Sequence, residues 1–448
     1  MQVKKIVLLF LVLPFVFPAC SPKGTTEKKD RPVVVILGLD GASWELIDPL
    51  IAKGRLPLFK ELKEKSAWGY LRTITPAKSP VIWTSIATGK TVAQHGIDDF
   101  RSKKADAKGN FPILQARDIR QASLWDMLDV NGLRSMLVNW YLSYPPQPLN
   151  GVNVSDYFAK SAISSHRKKG NIQSQTVYPP ERFADLAKLV VPDYQQALKS
   201  LHLPDFPELY KKMDTRKEYL DLLILKQFPN WVLQEKLVTD VAADLFLKED
   251  FDFFAVYLKM PDVVQHFAYM AMVGAAYKKS MDRAIVDGDL PEAVKAEAYA
   301  RVADIVCPVY QNLEKTIRRF LEAEKDREVY FIIISDHSFT FYVRDNKIHY
   351  GHIEPKIAPN GIIIMRGPGV KAGKIKLASV YDIAPTVLYL LDLPLGRHMK
   401  GRPLRRLFTF RHGNRYTVYK KKKPQPFKQN RELDEEILEE LKALGYID

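Results

Sequence analysis

Five continuous apolar runs constrain the fold of this 448-residue chain more strongly than any other feature of its sequence. Each run has the length of a buried strand and helical stretches separate them: Val33–Leu39, Ser135–Asn139, Phe253–Leu258, Val329–Ile334 and Ile362–Met365. Because their apolarity is continuous rather than alternating, we expect both faces of each strand to be covered. The pattern predicts an α/β fold with a mostly parallel central sheet flanked by helices. Ligands of such sheets bind beyond the carboxyl ends of the strands.

The composition indicates a folded protein and narrows the kinds of metal site that it can build. Hydrophobic residues make up 46% and charged residues 27% of the chain, which excludes intrinsic disorder. The two cysteines, Cys20 and Cys307, are too few for a disulfide framework or for a four-thiolate metal site. Any metal ion must therefore bind to Asp, Glu and His side chains.

Carboxylate and imidazole groups follow two of the predicted strands. Asp40 comes directly after the first run, and Asp336 and His337 follow the run that ends at Ile334. An aspartate at a strand end is often a helix cap or a turn residue, so each group alone fits that simpler interpretation. Their joint occurrence at one edge of the sheet instead indicates a site where oxygen and nitrogen ligands hold a metal ion.

Two further elements carry candidate functional groups. Asp262 and His266 are four residues apart after the third run, a spacing that places both side chains on one face of a helix. Ser79 opens a helical stretch that ends before Gly89, with Pro80 at a position where proline is favourable. The simpler interpretation of Ser79 is an N-cap. The positive end of a helix also favours a phosphate, so this serine could face a bound phosphoryl group.

The order of these motifs resembles the alkaline phosphatase superfamily, in particular its type I phosphodiesterase and nucleotide pyrophosphatase branch. The resemblance extends from about residue 32 to residue 405 with a long unmatched insertion, and rests on the motifs GLDGAS, SPVIWTSIATG, HGI, PDVVQH, SDH, GH and GPG. It implies an alkaline-phosphatase-like α/β core with two metal sites. The first site would consist of Asp40, Asp336, His337 and the hydroxyl oxygen of Ser79. The second would consist of Asp262, His266 and His352, with His349 as an alternative to His352.

The chemistry implied by the resemblance is in-line phosphoryl transfer. Ser79 would attack phosphorus, and a hydroxide formed at the second site would hydrolyse the phosphoseryl intermediate. Mixed carboxylate and imidazole ligands favour two zinc ions, with manganese and iron as alternatives. Lys78 and Lys259 are predicted to contact the phosphate of a small molecule, nucleotide, lipid or glycan. Two other functions remain open: transfer of a phosphoryl-linked headgroup to lipid or glycan, and binding of a phosphorylated ligand without turnover.

The first residues predict an exported, lipid-anchored protein. Lys4 and Lys5 precede an apolar run that ends at Pro18, and Ala19 then stands before Cys20. This arrangement resembles a bacterial lipobox, with residues 1–19 as signal peptide, acylated Cys20 as membrane anchor and residues 20–31 as flexible tether. We expect an extracytoplasmic protein, held at the outer membrane facing the periplasm if the host has two membranes. An ordinary signal cut nearby and an uncleaved anchor are the alternatives.

The remaining segments divide the chain further. Residues 32–155 and 251–405 are predicted as the two halves of the catalytic core, and residues 156–250, which carry no motif, as a helical insertion or cap. Residues 406–448 are predicted as a basic extension that ends in an amphipathic helix. Between Arg402 and Arg431 the chain has no acidic residue. Such a strip could bind anionic lipid or nucleic acid, or be a solvated tail; the export signal favours lipid, and we expect no nucleic-acid partner.

Overall fold

The computed structural model describes residues 31–106, 109–168, 174–203, 218–273, 275–323, 325–352, 358–424 and 431–447. The predicted signal peptide, the lipidation site Cys20 and all but the last residue of the tether lie outside the described residues. Among the residues described, no helix is both long enough and apolar enough to cross a membrane.

The strands that the structure contains include the five predicted from the sequence. In chain order the described strands are β1 Val33–Leu39, β2 Ala67–Leu71, β3 Ser135–Val138, β4 Gly151–Val154, β5 Val177–Tyr178, β6 Phe253–Leu258, β7 Val329–Ile334, β8 Thr340–Arg344, β9 Lys347–Gly351, β10 Gly361–Arg366, β11 Gly373–Ile375, β12 Leu395–Gly396 and β13 Tyr416–Thr417. The described α-helices are Trp44–Ala52, Pro57–Lys65, Ser79–Thr88, Val92–His95, Leu124–Val130, Phe158–Lys168, Phe183–Ala187, Tyr194–Leu201, Glu218–Lys248, Met260–Met272, Ala275–Arg283, Glu292–Leu321, Ile383–Leu390 and Arg431–Ala443.

Nine of these strands form one sheet, in the order β11-β2-β10-β7-β1-β6-β3-β4-β5. Strands β7, β1, β6, β3 and β4 run parallel to one another, whereas β10 is antiparallel to β7 and β5 is antiparallel to β4. Leu39 pairs with Leu258, and Gly38 pairs with Ile334, so the three central strands end at the same level. The prediction of a mostly parallel α/β sheet is confirmed.

Hydrophobic cores cover both faces of this sheet, as continuous apolar strands require. Along β1 the odd-numbered residues lie in one core cluster, and the even-numbered residues Val34 and Ile36 lie in the other. The first cluster includes residues of the helices Trp44–Ala52 and Glu292–Leu321, and the second includes residues of the helix Ser79–Thr88. The helices thus enclose the sheet and leave the carboxyl ends of its strands for the site.

The region predicted as an insertion packs directly against the sheet. Phe158, Phe183 and Trp231 are buried in the same core cluster as the first face of β1. Strand β5 of this region pairs with β4 and so extends the edge of the main sheet. The region therefore lies beside the carboxyl ends of the central strands, where it can form one wall of a pocket.

Candidate active site

Three adjacent parallel strands deliver the first candidate groups to one point. Asp40 follows β1 directly, Asp336 and His337 follow β7 after one serine, and β6 leads into the helix Met260–Met272. Because β7, β1 and β6 are neighbours that run in the same direction, their carboxyl ends meet at one edge of the sheet. Asp40, Asp336 and His337 are all at most 2% exposed.

The helix after β6 brings two more groups to this edge. Pro261 stands in its first turn, where proline is tolerated, and Asp262 and His266 follow with the four-residue spacing of one helix face. The Oδ2 atom of Asp262 lies 3.6 Å from the Nε2 atom of His266. Asp262 and His266 therefore lie on one face of a helix, as their four-residue spacing predicted.

Ser79 is the first residue of the helix Ser79–Thr88, not its N-cap. Lys78 takes the cap position in an extended conformation, and its carbonyl accepts hydrogen bonds from the amides of Val81 and Ile82. The N-cap interpretation of Ser79 is therefore wrong, because the backbone of Lys78 already begins the helix. The hydroxyl of Ser79 is left free of capping and lies 3.4 Å from the Nε2 atom of His337.

His337 lies at the centre of the candidate groups. Its Nε2 atom is 3.4 Å from Oδ1 of Asp40, 3.5 Å from Oδ2 of Asp336 and 3.9 Å from Oδ1 of Asp262. Donor atoms of Asp40, Asp336 and His337, and likewise of Asp262, His337 and His352, lie within 4.8 Å of one another. The structure thus brings Asp40, Asp262, Asp336, His337 and His352 together around one point, and His266 lies beside them next to Asp262.

The structure distinguishes between the two candidates for the last histidine. His352 is buried, its ring stacks on that of His337 at 3.8 Å between centroids, and its Nε2 atom lies 3.9 Å from Oδ1 of Asp262. His349 lies instead in strand β9, where its ring stacks on Tyr342. Only His352 of this pair is in contact with the cluster.

Several atoms of the cluster that could bind a metal ion are buried but have no hydrogen-bond partner. They are Oδ1 of Asp40, Oδ1 of Asp262, Oδ2 of Asp336 and Nε2 of His352. A buried polar atom without a partner costs free energy, and three buried carboxylates repel one another unless a cation lies between them. The residues present therefore fit divalent cations, which carboxylate oxygen and imidazole nitrogen both bind.

The electrostatics of the cluster agree with this fit. Burial raises the pKa of Asp262 and Asp336 well above the usual carboxyl range. Burial lowers the pKa of His266 and His337 well below the usual imidazole range, and lowers the pKa of His352 to about 4. Neutral imidazoles keep a lone pair available for a metal, and a bound cation favours the ionised carboxylates that burial alone disfavours.

Neighbouring groups orient the cluster through their own hydrogen bonds. Ala77 and Ser338 offer their backbone carbonyls to the Nδ1 atoms of His352, at 2.8 Å, and of His337, at 3.3 Å. The hydroxyl of Tyr257 donates to Oδ2 of Asp40. Partners of this kind set the tautomer and ring orientation of metal-binding histidines.

Gly41 matters at this site because its backbone passes close to Asp262. It has φ = 70°, and a Cβ atom at this position would lie 3.0 Å from the Cα atom of Asp262. Gly54 has the same φ, but no atom lies within 4 Å of the corresponding position. We therefore expect Gly41→Ala to lower the free energy of unfolding by about 1–3 kcal/mol more than Gly54→Ala does. Urea titration of both variants measures the difference, and equal losses would contradict this close approach.

The two lysines predicted to contact substrate phosphate are both paired with other groups. Lys78 forms a 2.6 Å ion pair with Asp99. Lys259 donates to the side-chain oxygen of Gln234 and lies 3.7 Å from a carboxylate oxygen of Glu440. Lys259 lines the same pocket as Ser79, whereas Lys78 lines a separate surface pocket. Their contact with substrate stays a prediction.

Tyr446 is a residue at the site that the sequence analysis missed. Its hydroxyl lies 2.7 Å from Oδ2 of Asp262 and 3.0 Å from Nε2 of His266. No local sequence pattern predicts this contact, because Tyr446 is 180 residues from His266 along the chain.

The family of the chain follows from comparison with known proteins. The family model described as type I phosphodiesterase / nucleotide pyrophosphatase matches residues 34–430. The chain belongs to this family. The type I phosphodiesterase assignment made from the motifs is thereby confirmed, and it supports a phosphoester hydrolase. A comparison with curated protein sequences finds no match.

Three solved structures that are similar to this type I phosphodiesterase family member are distant from it in sequence. Murine ectonucleotide pyrophosphatase / phosphodiesterase 5 is 11% identical, with 84% of this chain and 100% of that chain covered and a TM-score of 0.46. Alkaline phosphatase PafA, as a mutant, is 13% identical, with 85% and 99% covered and a TM-score of 0.47. Phosphonoacetate hydrolase from Sinorhizobium meliloti 1021 is 15% identical, with a TM-score of 0.38; the match covers 69% of this chain but only 57% of that one.

Proposed function

We propose that this chain is a metal-dependent phosphoester hydrolase that uses Ser79 as its nucleophile. The observation that carries the proposal is the position of the Ser79 hydroxyl, 3.4 Å from His337 in a buried cluster that also contains Asp40, Asp262, Asp336 and His352. A serine that only capped a helix would not need such neighbours. Membership of the type I phosphodiesterase family supports the same reaction class.

The cluster can hold two divalent cations, for which zinc is our choice from the donor types. Asp40, Asp336 and His337 would hold one, and Asp262, His266 and His352 the other. When bound, the cations would supply electrostatic stabilisation of the charge that develops on the attacking and leaving oxygens.

Ser79 carries the covalent steps of the proposed reaction. Its Oγ atom loses its proton and forms a bond to phosphorus while the ester P–O bond breaks, and the leaving oxygen takes up a proton in exchange. Water then loses a proton and forms a bond to phosphorus while the Oγ–P bond breaks, and Oγ takes up a proton, which regenerates the serine. The positive end of the helix Ser79–Thr88 favours the negatively charged phosphoryl group at this position.

The test of the proposed function is hydrolysis of bis(p-nitrophenyl) phosphate and p-nitrophenyl phosphate by the purified protein, before and after treatment with a chelator. We expect release of p-nitrophenol that chelation abolishes and zinc restores. Product analysis with added alcohols distinguishes hydrolysis from transfer to an acceptor. Activity that is indifferent to the chelator would contradict metal dependence.

We also propose that the protein is anchored to the cell envelope through acylated Cys20, as the lipobox-like sequence before it suggests. Replacing Cys20 with serine removes the thiol that acylation needs. We expect Cys20→Ser to shift the protein from the membrane fraction to the soluble extracytoplasmic fraction and to abolish labelling by a fatty-acid analogue. Retention of the variant in the membrane fraction would favour an uncleaved anchor.

A further inference from the structure

The last described part of the chain lies inside the pocket of the candidate active site. Residues 431–447, here called the C-terminal segment, consist of the helix Arg431–Ala443 and the four residues after it. Its side chains line the same cavity as Asp40, Ser79 and Asp262; they are Ile437, Glu440, Leu441, Leu444 and Tyr446. None of them belongs to a motif of the core.

Tyr446 contacts the atoms that would hold the second cation. Its hydroxyl is within hydrogen-bond distance of Oδ2 of Asp262 and Nε2 of His266, at 2.7 and 3.0 Å. Its ring stacks on Phe100 at 4.8 Å between centroids. The aromatic contact holds the hydroxyl over this pair of side chains, where it competes with any other oxygen that approaches them.

Glu440 places a carboxylate between two cationic groups of the pocket wall. It forms a 2.7 Å ion pair with Lys160, lies 3.7 Å from Lys259 and accepts a 3.0 Å hydrogen bond from Gln234. The side chains of Lys160 and Glu440 are only 7% and 13% exposed. Two lysines around one carboxylate form a position that suits an anion, and the chain itself fills that position in this structure.

The space left beside the C-terminal segment is too small for an organic phosphoester. The remaining cavity has a volume of about 110 Å³. Pockets for small-molecule ligands usually have volumes of about 300–1,000 Å³. A substrate that binds beside Ser79 therefore competes with the C-terminal segment for the space of this pocket.

We propose that the C-terminal segment is a displaceable occupant of the active-site pocket, which a substrate replaces through a second anionic group that binds Lys160 and Lys259 in place of Glu440. The inference rests on the proposed function, and it adds a substrate class: phosphoesters with a further acidic group. An incoming anion compensates the charge of Lys160 and Lys259 when the carboxylate of Glu440 departs. The exchange therefore leaves neither lysine without a counter-charge in the pocket.

The substitutions that test the occupant are Glu440→Gln and Tyr446→Phe, made together in the full chain. They keep the size of both side chains but remove the ion pair and the hydroxyl contact with Asp262. The matched controls are Glu439→Gln and Tyr416→Phe, because Glu439 is the exposed neighbour of Glu440 and Tyr416 is 53% exposed. Circular dichroism and thermal unfolding establish that each variant is folded.

The first measurement is binding by calorimetry of phenyl phosphate, which has no further acidic group, and of 4-carboxyphenyl phosphate, which has one; all proteins are loaded with zinc and carry Ser79→Ala so that no turnover is needed. We expect the parent to bind the carboxylated ester with a Kd at least tenfold lower than that of phenyl phosphate, and equal Kd values would contradict the second anionic group. We expect the double variant to bind the carboxylated ester with a Kd at least tenfold lower than the parent does, and the control variants to bind it within twofold of the parent. An unchanged or higher Kd in the double variant would overturn the proposal, since the segment would then be a fixed wall of the pocket.

The second measurement is hydrogen exchange of the amides of residues 431–447. We expect faster exchange in the double variant than in the control variants, and faster exchange in the parent when 4-carboxyphenyl phosphate is bound. Binding of this ester with unchanged exchange would contradict displacement. Failure of the proposed function has a different signature: wild-type protein and double variant would both leave bis(p-nitrophenyl) phosphate and p-nitrophenyl phosphate intact, whatever the exchange of the segment shows.

Discussion

Replacing Ser79 with alanine should reduce kcat/KM for both chromogenic substrates by roughly a thousandfold or more, since loss of the nucleophile removes the covalent route. The substitution removes only a hydroxyl that takes no part in capping the helix, because Lys78 begins it. We therefore expect the fold and the metal content to stay unchanged. Steady-state kinetics measures the loss, and mass spectrometry of acid-quenched wild-type protein should show a phosphoryl adduct that Ser79→Ala lacks.

The matched control for Ser79→Ala is Ser85→Ala in the same helix. Ser85 is buried and its hydroxyl contacts His95 at 2.9 Å, away from the cluster. We expect this variant to lose some stability but to keep activity. Retention of more than a tenth of the wild-type activity by Ser79→Ala would show that the serine is not the nucleophile.

Replacing Asp336 with asparagine should cost the protein one of the two proposed cations and most of its activity. One oxygen of Asp336 accepts from the amide of Gly41, which asparagine can keep, whereas the other has no hydrogen-bond partner and is the predicted metal ligand. Loss of a cation that stabilises the transition state by several kcal/mol should lower kcat/KM on the order of a thousandfold. Metal analysis after dialysis should find fewer than two zinc ions per chain.

Asp304→Asn is the control for Asp336→Asn, since Asp304 is an exposed partner of Lys53. We expect this variant to keep both cations and full activity. In the wild type, added zinc should raise the unfolding temperature of the chelated protein, because a ligand that binds the folded state stabilises it. An Asp336→Asn protein that keeps both cations would contradict the assigned ligand.

The strand ends were predictable from the sequence because they depend on local patterns. Continuous apolar runs identified β1 and β7, and Asp40, Asp336 and His337 follow these strands closely in the chain. The helical spacing of Asp262 and His266 placed them on one face in the same way. The carboxyl ends of neighbouring parallel strands lie at the same edge of a sheet. The order of the strands in the sheet is therefore enough to bring these side chains together.

Local sequence patterns did not decide two features of the site: which histidine is the last member of the cluster, and whether Ser79 caps its helix or begins it. His349 and His352 stand in the same short stretch, and only the hairpin of β8 and β9 turns one of them towards Tyr342 and the other towards His337. Ser79 is followed by proline, which suits a serine cap as well as a first helical residue. The backbone conformation of Lys78 decided between the two.

The sequence alone determined the α/β class, the family and the groups at the strand ends, since apolar runs, short motifs and the order of those motifs can all be seen along the chain without its folded form. Only the tertiary structure decided that Tyr446 lies against Asp262 and that Glu440 lies between Lys160 and Lys259. These contacts join parts of the chain that are far apart in sequence. They form because the C-terminal helix buries Leu433 and Leu441 against the body of the protein, and no local period encodes where that helix docks.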